Sequence, residues 1–201
     1  MASRQARIKV DENEAGVYHL CSRVAGPKGW YPLAEATNQK KLLDLIQFYA
    51  KNYQCKVLGF CIMGNHYHLI IEFLKPGKLP RHFLKEKANQ FYPRSAAHIE
   101  LWNDDKWDKF EKRLFNVSAF MRSLNRAFTW WYNTQTNSRG TFWADRFKST
   151  ILKSKQAIQS GSAGNSRSNA GPGRCGGPLR RSGHRAARRG HRPRPRTGTR
   201  R

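Results

Sequence analysis

The sequence predicts an α+β domain, a small antiparallel sheet with helices packed against one face, followed by a basic tail. Three observations carry this. Runs of β-forming residues and segments of helical period follow one another in the order β-α-β-β-α-α-β. Gly64-Asn65 stands between two of the runs, where a tight hairpin turn belongs. Every aromatic residue lies at or before Phe147, so the residues able to build a core end well before the chain does.

The elements can be justified in order. Val17-Tyr18-His19-Leu20-Cys21-Ser22-Arg23-Val24 reads as a strand that stops at the turn Gly26-Pro27-Lys28-Gly29. Residues 38–53 read as a helix, capped by Thr37 or Asn38, because Leu42, Leu45, Ile46 and Tyr49 fall at i, i+3, i+4 and i+7. Lys56-Val57-Leu58-Gly59-Phe60-Cys61-Ile62-Met63 is a second strand, and the strand after the hairpin carries His66 and His68 before Pro76-Gly77. Residues 79–92 read as a helix with Leu79, Phe83 and Phe91 apolar, and residues 102–107 as an acidic, aromatic loop. Ser118 is expected to cap a helix over 119–132, whose apolar face is Phe120, Leu124, Ala127, Phe128 and Trp131. Asn137-Ser138-Arg139-Gly140 makes a turn, and residues 147–152 a last strand with Lys148 and Thr150 on its outer side.

Charge narrows the partner. The chain of 201 residues carries 38 Lys+Arg against 13 Asp+Glu, a net +25, which fits a polyanion. Residues 156–201 hold 12 of the arginines and no lysine or acid; removing them from +25 leaves +13 on residues 1–155, so the folded part is basic in its own right. The segment is too polar to bury a core and is expected to be disordered. Losing lysine, acids and aromatics together resembles translation of GC-rich DNA in a shifted frame; an evolved arginine-rich binding tail is the alternative. No run of about 18 apolar residues suggests a membrane span, and Met1-Ala2-Ser3-Arg4-Gln5 is not a signal core. With Cys21, Cys55, Cys61 and Cys175 showing no Cys-x-x-Cys spacing, free thiols and a cytoplasmic location are expected.

The chemistry-bearing motif is Gly64-Asn65-His66-Tyr67-His68-Leu69. Side chains of a strand alternate faces, so His66 and His68 share one face and Tyr67 takes the other. Two neighbouring imidazoles on a rigid strand can share a divalent metal, and a metal so held polarises a phosphate. Read alone, the pair is equally an ordinary pair of sheet histidines. Arg139, Arg146 and Lys148 are candidates for phosphate contacts, with solvated surface charge as the plain alternative. Trp102 and Trp107 could stack on bases or pack; Trp143 and Tyr132 are expected to pack.

Residues 6–158 resemble the REP-associated tyrosine transposases of the HUH superfamily of single-strand DNA transposases, with an IS200-like transposase domain. The matching pieces are Ala6-Arg7-Ile8, Tyr18-His19, Arg23-Val24, Leu58-Gly59-Phe60-Cys61-Ile62-Met63 with Asn65-His66-Tyr67-His68-Leu69, Phe120-Met121-Arg122-Ser123-Leu124-Asn125-Arg126, Tyr132-Asn133 and Gly140-Thr141-Phe142-Trp143-Ala144-Asp145-Arg146-Phe147-Lys148-Ser149. The resemblance implies a ferredoxin-like sheet, Mg²⁺ or Mn²⁺ on His66 and His68, and a tyrosine that joins a DNA phosphate. It also implies a single-stranded DNA partner with palindromic hairpins and neither membrane nor small-molecule substrate; Arg23 joins Arg139, Arg146 and Lys148 as a candidate DNA contact. Gly64 departs from the proline usual there. The family's nucleophile sits on a helix after the last strand, yet no tyrosine follows Tyr132. The domain over 1–158 is therefore read as incomplete at its C-terminal end, with a tail over 159–201, and no catalytic residue is assigned. A transposase with defective chemistry is the expectation; a non-cleaving hairpin-binding module or a generic nucleic-acid binder is the alternative.

Overall fold

The computed structural model describes residues 14–152 and 174–177. Strands β1 (Gly16–Arg23), β2 (Cys55–Ile62), β3 (His66–Phe73), β4 (Lys148–Ile151) and β5 (Arg174–Gly176) form one sheet in the order β4-β1-β3-β2-β5. Every pairing is antiparallel. Helices α1 (Ala36–Asn52), α2 (Arg81–Phe91), α3 (Ala96–Glu100), α4 (Asp104–Leu114) and α5 (Val117–Thr136) complete the fold. The α+β architecture expected from the sequence is the one observed.

One face of the sheet is closed and the other open, and period two decides which residue meets which. Tyr18 and Leu20 of β1 and Tyr67, Leu69, Ile71 and Phe73 of β3 are buried beneath α1 and α5, together with Leu42, Ile46, Phe120, Leu124 and Phe128. Each such side chain taken from water contributes about 1.5–3 kcal/mol. The alternate residues, His19, Cys21 and Arg23 on β1 and His66 and His68 on β3, stay half-buried or exposed on the open face. A smaller core of Leu84, Ala88, Ile99, Trp107, Phe110 and Leu114 holds α2, α3 and α4 together.

Three expectations need correction, the first at α1, which begins at Ala36 with Glu35 in the cap position, so Thr37 and Asn38 lie inside the helix. Residues 102–107 are not a loop throughout: α4 begins at Asp104, because Asn103 accepts a hydrogen bond from the Lys106 N–H and Asp104 and Asp105 occupy the positive first turn. Trp107 and Phe110 bury its apolar side, and Trp102 packs on Trp107 with ring centroids 4.8 Å apart, so both tryptophans belong to the small core. The cap of α5 is Asn116, whose side chain accepts from the Ala119 N–H at 3.0 Å; Ser118 lies inside the helix. The helix ends on Asn137 in the left-handed region (φ 49°), a conformation asparagine tolerates.

Within the tail expected to lack structure, Arg174–Gly176 pair with β2, whose outer edge is a ready template for a further strand. Cys61 is disulfide-bonded, so the expectation of free thiols fails there, whereas Cys21 is a free thiol. The rest of 153–201, where the frameshift reading and the missing tyrosine helix fall, lies outside the described residues, as do residues 1–13. Among the described residues no helix is long and apolar enough to cross a membrane.

Candidate nucleic-acid and metal site

The β2–β3 hairpin presents the histidines. Met63 N–H bonds to the His66 carbonyl across the turn at 2.8 Å, and Leu33 N–H bonds to the Gly64 carbonyl at 2.9 Å, tying the turn to the chain before α1. Gly64 has a steric reason to stand in the turn: a Cβ there would come within 2.9 Å of Tyr31 Cδ1 and 3.0 Å of Tyr31 Cβ. An added side chain at the turn would force Tyr31 to shift, and glycine avoids that contact.

His66 and His68 lie on the open face with ring centroids 5.0 Å apart. Tyr67 between them points into the core, is fully buried, and donates from its hydroxyl to Asn125 Oδ1 at 2.6 Å. Asn125 Nδ2 in turn donates to Ser22 Oγ at 2.9 Å, linking β3, α5 and β1. Burial pushes the Tyr67 hydroxyl far above its ordinary range, so it is a structural hydroxyl and not a nucleophile.

Each histidine has a partner that orients it. His66 Nδ1 is 2.8 Å from Asn65 Oδ1, which acts only as an acceptor; the proton is on Nδ1 and the Nε2 lone pair is free. His68 Nδ1 is 2.9 Å from Nε2 of His19, and the two rings stack with centroids 5.0 Å apart. Desolvation, then His19 and His66, bring His68 down to about 4; desolvation and Arg23 lower His66, and desolvation lowers His19. All three imidazoles are neutral near pH 7, the form that binds a metal. His19 is the site residue that sequence reasoning passed over. It sits two pairs along the register from His68, opposite Ile70, and its alternation on β1 put it on the open face; only the strand order reveals that β1 is the neighbour of β3.

The donor set fits a divalent ion only in part. His66 and His68 supply imidazole nitrogens, each backed by a hydrogen-bond partner as metal-binding histidines usually are. Among the described residues no group of three His, Cys, Asp or Glu could enclose an ion, so coordination would have to be completed from elsewhere.

Cationic side chains surround the pair. Arg23, Arg146 and Lys148 line, with Cys21, Asn65, His66, His68, Ala144 and Asp145, a cavity of about 510 Å³. The loop 142–147 is pinned over the end of the sheet by hydrogen bonds from Ala25 N–H to the Phe142 carbonyl and from Ala144 N–H to the Arg23 carbonyl, which brings Arg146 to the rim. Three of the four cations expected to contact phosphate thus converge on the histidines. Arg139 stands on the exposed turn after α5, outside this cavity. Trp143 packs as expected, against Tyr67, Phe128 and Phe142, and its Nε1–H donates to the Asn125 carbonyl at 3.0 Å. Tyr132 packs on Phe142 at 4.5 Å and stacks on Phe128, away from the histidines.

The open face brings neutral imidazoles together with arginine and lysine, an arrangement chemically suited to phosphate groups. Residues 17–109, which run from β1 into α4 and include Arg23, His66 and His68, match the family model described as IS200-like transposase, so the resemblance read from the sequence stands on that segment. A solved structure of a REP-associated tyrosine transposase bound to a REP hairpin is similar at 9% identity, covering 79% of this chain and 67% of that chain, with a TM-score of 0.48. No curated protein matches the chain.

Proposed function

We propose that this protein is a DNA-binding member of the transposase type that grips single-stranded DNA with hairpin ends on the open face of its sheet and has lost the strand-cutting step. One observation carries the reading. Within and beside a segment that matches the IS200-like transposases, two oriented neutral histidines and the cations Arg23, Arg146 and Lys148 meet in one cavity. Arg23 and Lys148, on neighbouring strands, bind and orient a phosphate beside the imidazoles. Tyr67 and Asn125 fix β3 from behind, while Asn65 and His19 hold the two rings. A Mg²⁺ or Mn²⁺ ion held by His66 and His68 would supply positive charge to a scissile phosphate.

The loss of cutting is argued from the residues available. A nucleophile must stand in line about 3–3.5 Å from the reacting atom. Residues 153–201 contain no tyrosine, and Tyr132 and Tyr67 are held in packed aromatic surroundings. The test is fluorescence anisotropy at about physiological salt with a labelled hairpin bearing a single-stranded flank, against a plain duplex of equal length. Preference for the hairpin, reduced in Arg23→Gln/Lys148→Gln, supports the reading. Equal affinity for both makes the protein a generic polycation.

A further inference from the structure

We propose that the groove between α4 and α5 is a second nucleic-acid contact, holding a single-stranded segment that leads away from the histidine cavity; this rests on the DNA-binding reading above. Continuity is the first observation. The histidine cavity shares Asp145 and Arg146 with a neighbouring depression of about 560 Å³, and that depression shares Ser118 and Arg122 with the α4–α5 groove of about 1040 Å³. A path therefore runs from the open face, past the loop 142–147, onto the helical side.

The second observation is uncompensated charge. Arg122, Arg126 and Trp130 fall at i, i+4 and i+8 of α5, the stripe opposite the buried Phe120, Leu124 and Phe128, and all three are exposed, Trp130 at 72%. Lys112 faces the same groove from α4. Among the described residues no carboxylate pairs with Arg113, Arg122, Arg126 or Lys112. Arg113 is the most telling of these. It is half-buried in the groove, hydrogen-bonded to the neutral hydroxyls of Tyr53, Tyr92 and Ser123 and set over the Phe91 ring, with no carboxylate among its described partners. A cation drawn out of water normally meets an anion, and here the fold leaves that place to a ligand.

The third observation selects the occupant. Aromatic rings are interleaved with the cations: Trp130 stands exposed at one end, and Tyr92 sits beside Arg113. A basic groove with aromatic faces suits unpaired bases, whose rings stack while the phosphates follow the charge.

The experiment is a salt series of binding titrations on the full chain with an oligothymidine of about 20 nucleotides and with a blunt hairpin. If Arg122 and Arg126 each neutralise one phosphate, Arg122→Gln/Arg126→Gln flattens the slope of log K against log salt by about 1.4 on oligothymidine, from about 0.7 per contact. Arg122→Lys/Arg126→Lys keeps the slope. Trp130→Ala weakens oligothymidine roughly 5- to 150-fold, the effect of one lost stacking platform. The blunt hairpin is bound as by wild type, and since all three positions are exposed, circular dichroism melts should coincide. Unchanged slope and affinity on oligothymidine would overturn the proposal and leave the groove to another anion such as an acidic peptide. Failure of the DNA-binding reading shows separately, as wild type that does not distinguish hairpin from duplex.

Discussion

Replacing Asn125 with alanine should destabilise the protein more than its half-buried position suggests. Asn125 accepts from the Tyr67 hydroxyl at 2.6 Å and donates to Ser22 Oγ at 2.9 Å. Tyr67 is 0% and Ser22 2% exposed, so water cannot replace the amide. A buried hydroxyl left without its partner costs about 1–3 kcal/mol, and two of them give about 2–6 kcal/mol. For a chain of this size, at about 2–4 °C per kcal/mol, that is a fall in Tm of roughly 4–24 °C. Tyr67→Phe strands the Asn125 oxygen and removes the phenol's contact with Ser22, and should cost about 1 kcal/mol. In Tyr67→Phe/Asn125→Ala the stranded phenol no longer exists, so the double variant should be milder than the two singles combined by about 1 kcal/mol. Urea unfolding of the four proteins measures this. Asn125→Ala within about 0.5 kcal/mol of wild type, or strict additivity, would refute the idea that this clamp fixes the histidine strand.

Further outcomes are expected at the site. His66→Ala/His68→Ala should abolish Mn²⁺ binding measured by calorimetry or electron paramagnetic resonance, and His19→Ala should weaken it about 10- to 100-fold, as loss of an orienting partner does; unchanged affinity in His19→Ala would reduce the His19–His68 contact to packing. Incubation with labelled hairpin DNA and Mg²⁺ or Mn²⁺ should give no protein-linked band on a denaturing gel, and a band that disappears in the double histidine variant would show that a nucleophile survives. Gly64→Ala should cost about 1–3 kcal/mol in urea unfolding by overpacking against Tyr31, and a neutral result would mean that Tyr31 moves aside.

What the sequence made legible was what depends on period. The alternation through His66-Tyr67-His68 placed the two imidazoles outside and the phenol inside, as found. The stripe of Leu42 and Ile46 gave α1 its buried side. What depends on distant partners was hidden. The His19–His68 contact needs β1 beside β3, a neighbourhood fixed by the packing of whole strands. The segment at Asp104 and Asp105 looked like a loop because acids and aromatics crowd it, yet the acids favour a helix start and the aromatics fill a second core. The α4–α5 groove is hidden from sequence because Arg122 and Arg126 line a common cavity with Lys112 only once α4 is set beside α5.

The back-to-back arrangement on β3 separates the survival of the site from the survival of its reaction. The same strand that displays the histidines is locked to the interior by Tyr67, Leu69 and Ile71. A slip of one residue would bury both imidazoles and expose a phenol, so the core enforces the register whether or not any chemistry takes place. Folding alone therefore keeps the imidazoles paired and aimed. On the function proposed above, losing the nucleophile would leave the half-site assembled, and the step from cutter to occupier would ask nothing of the core.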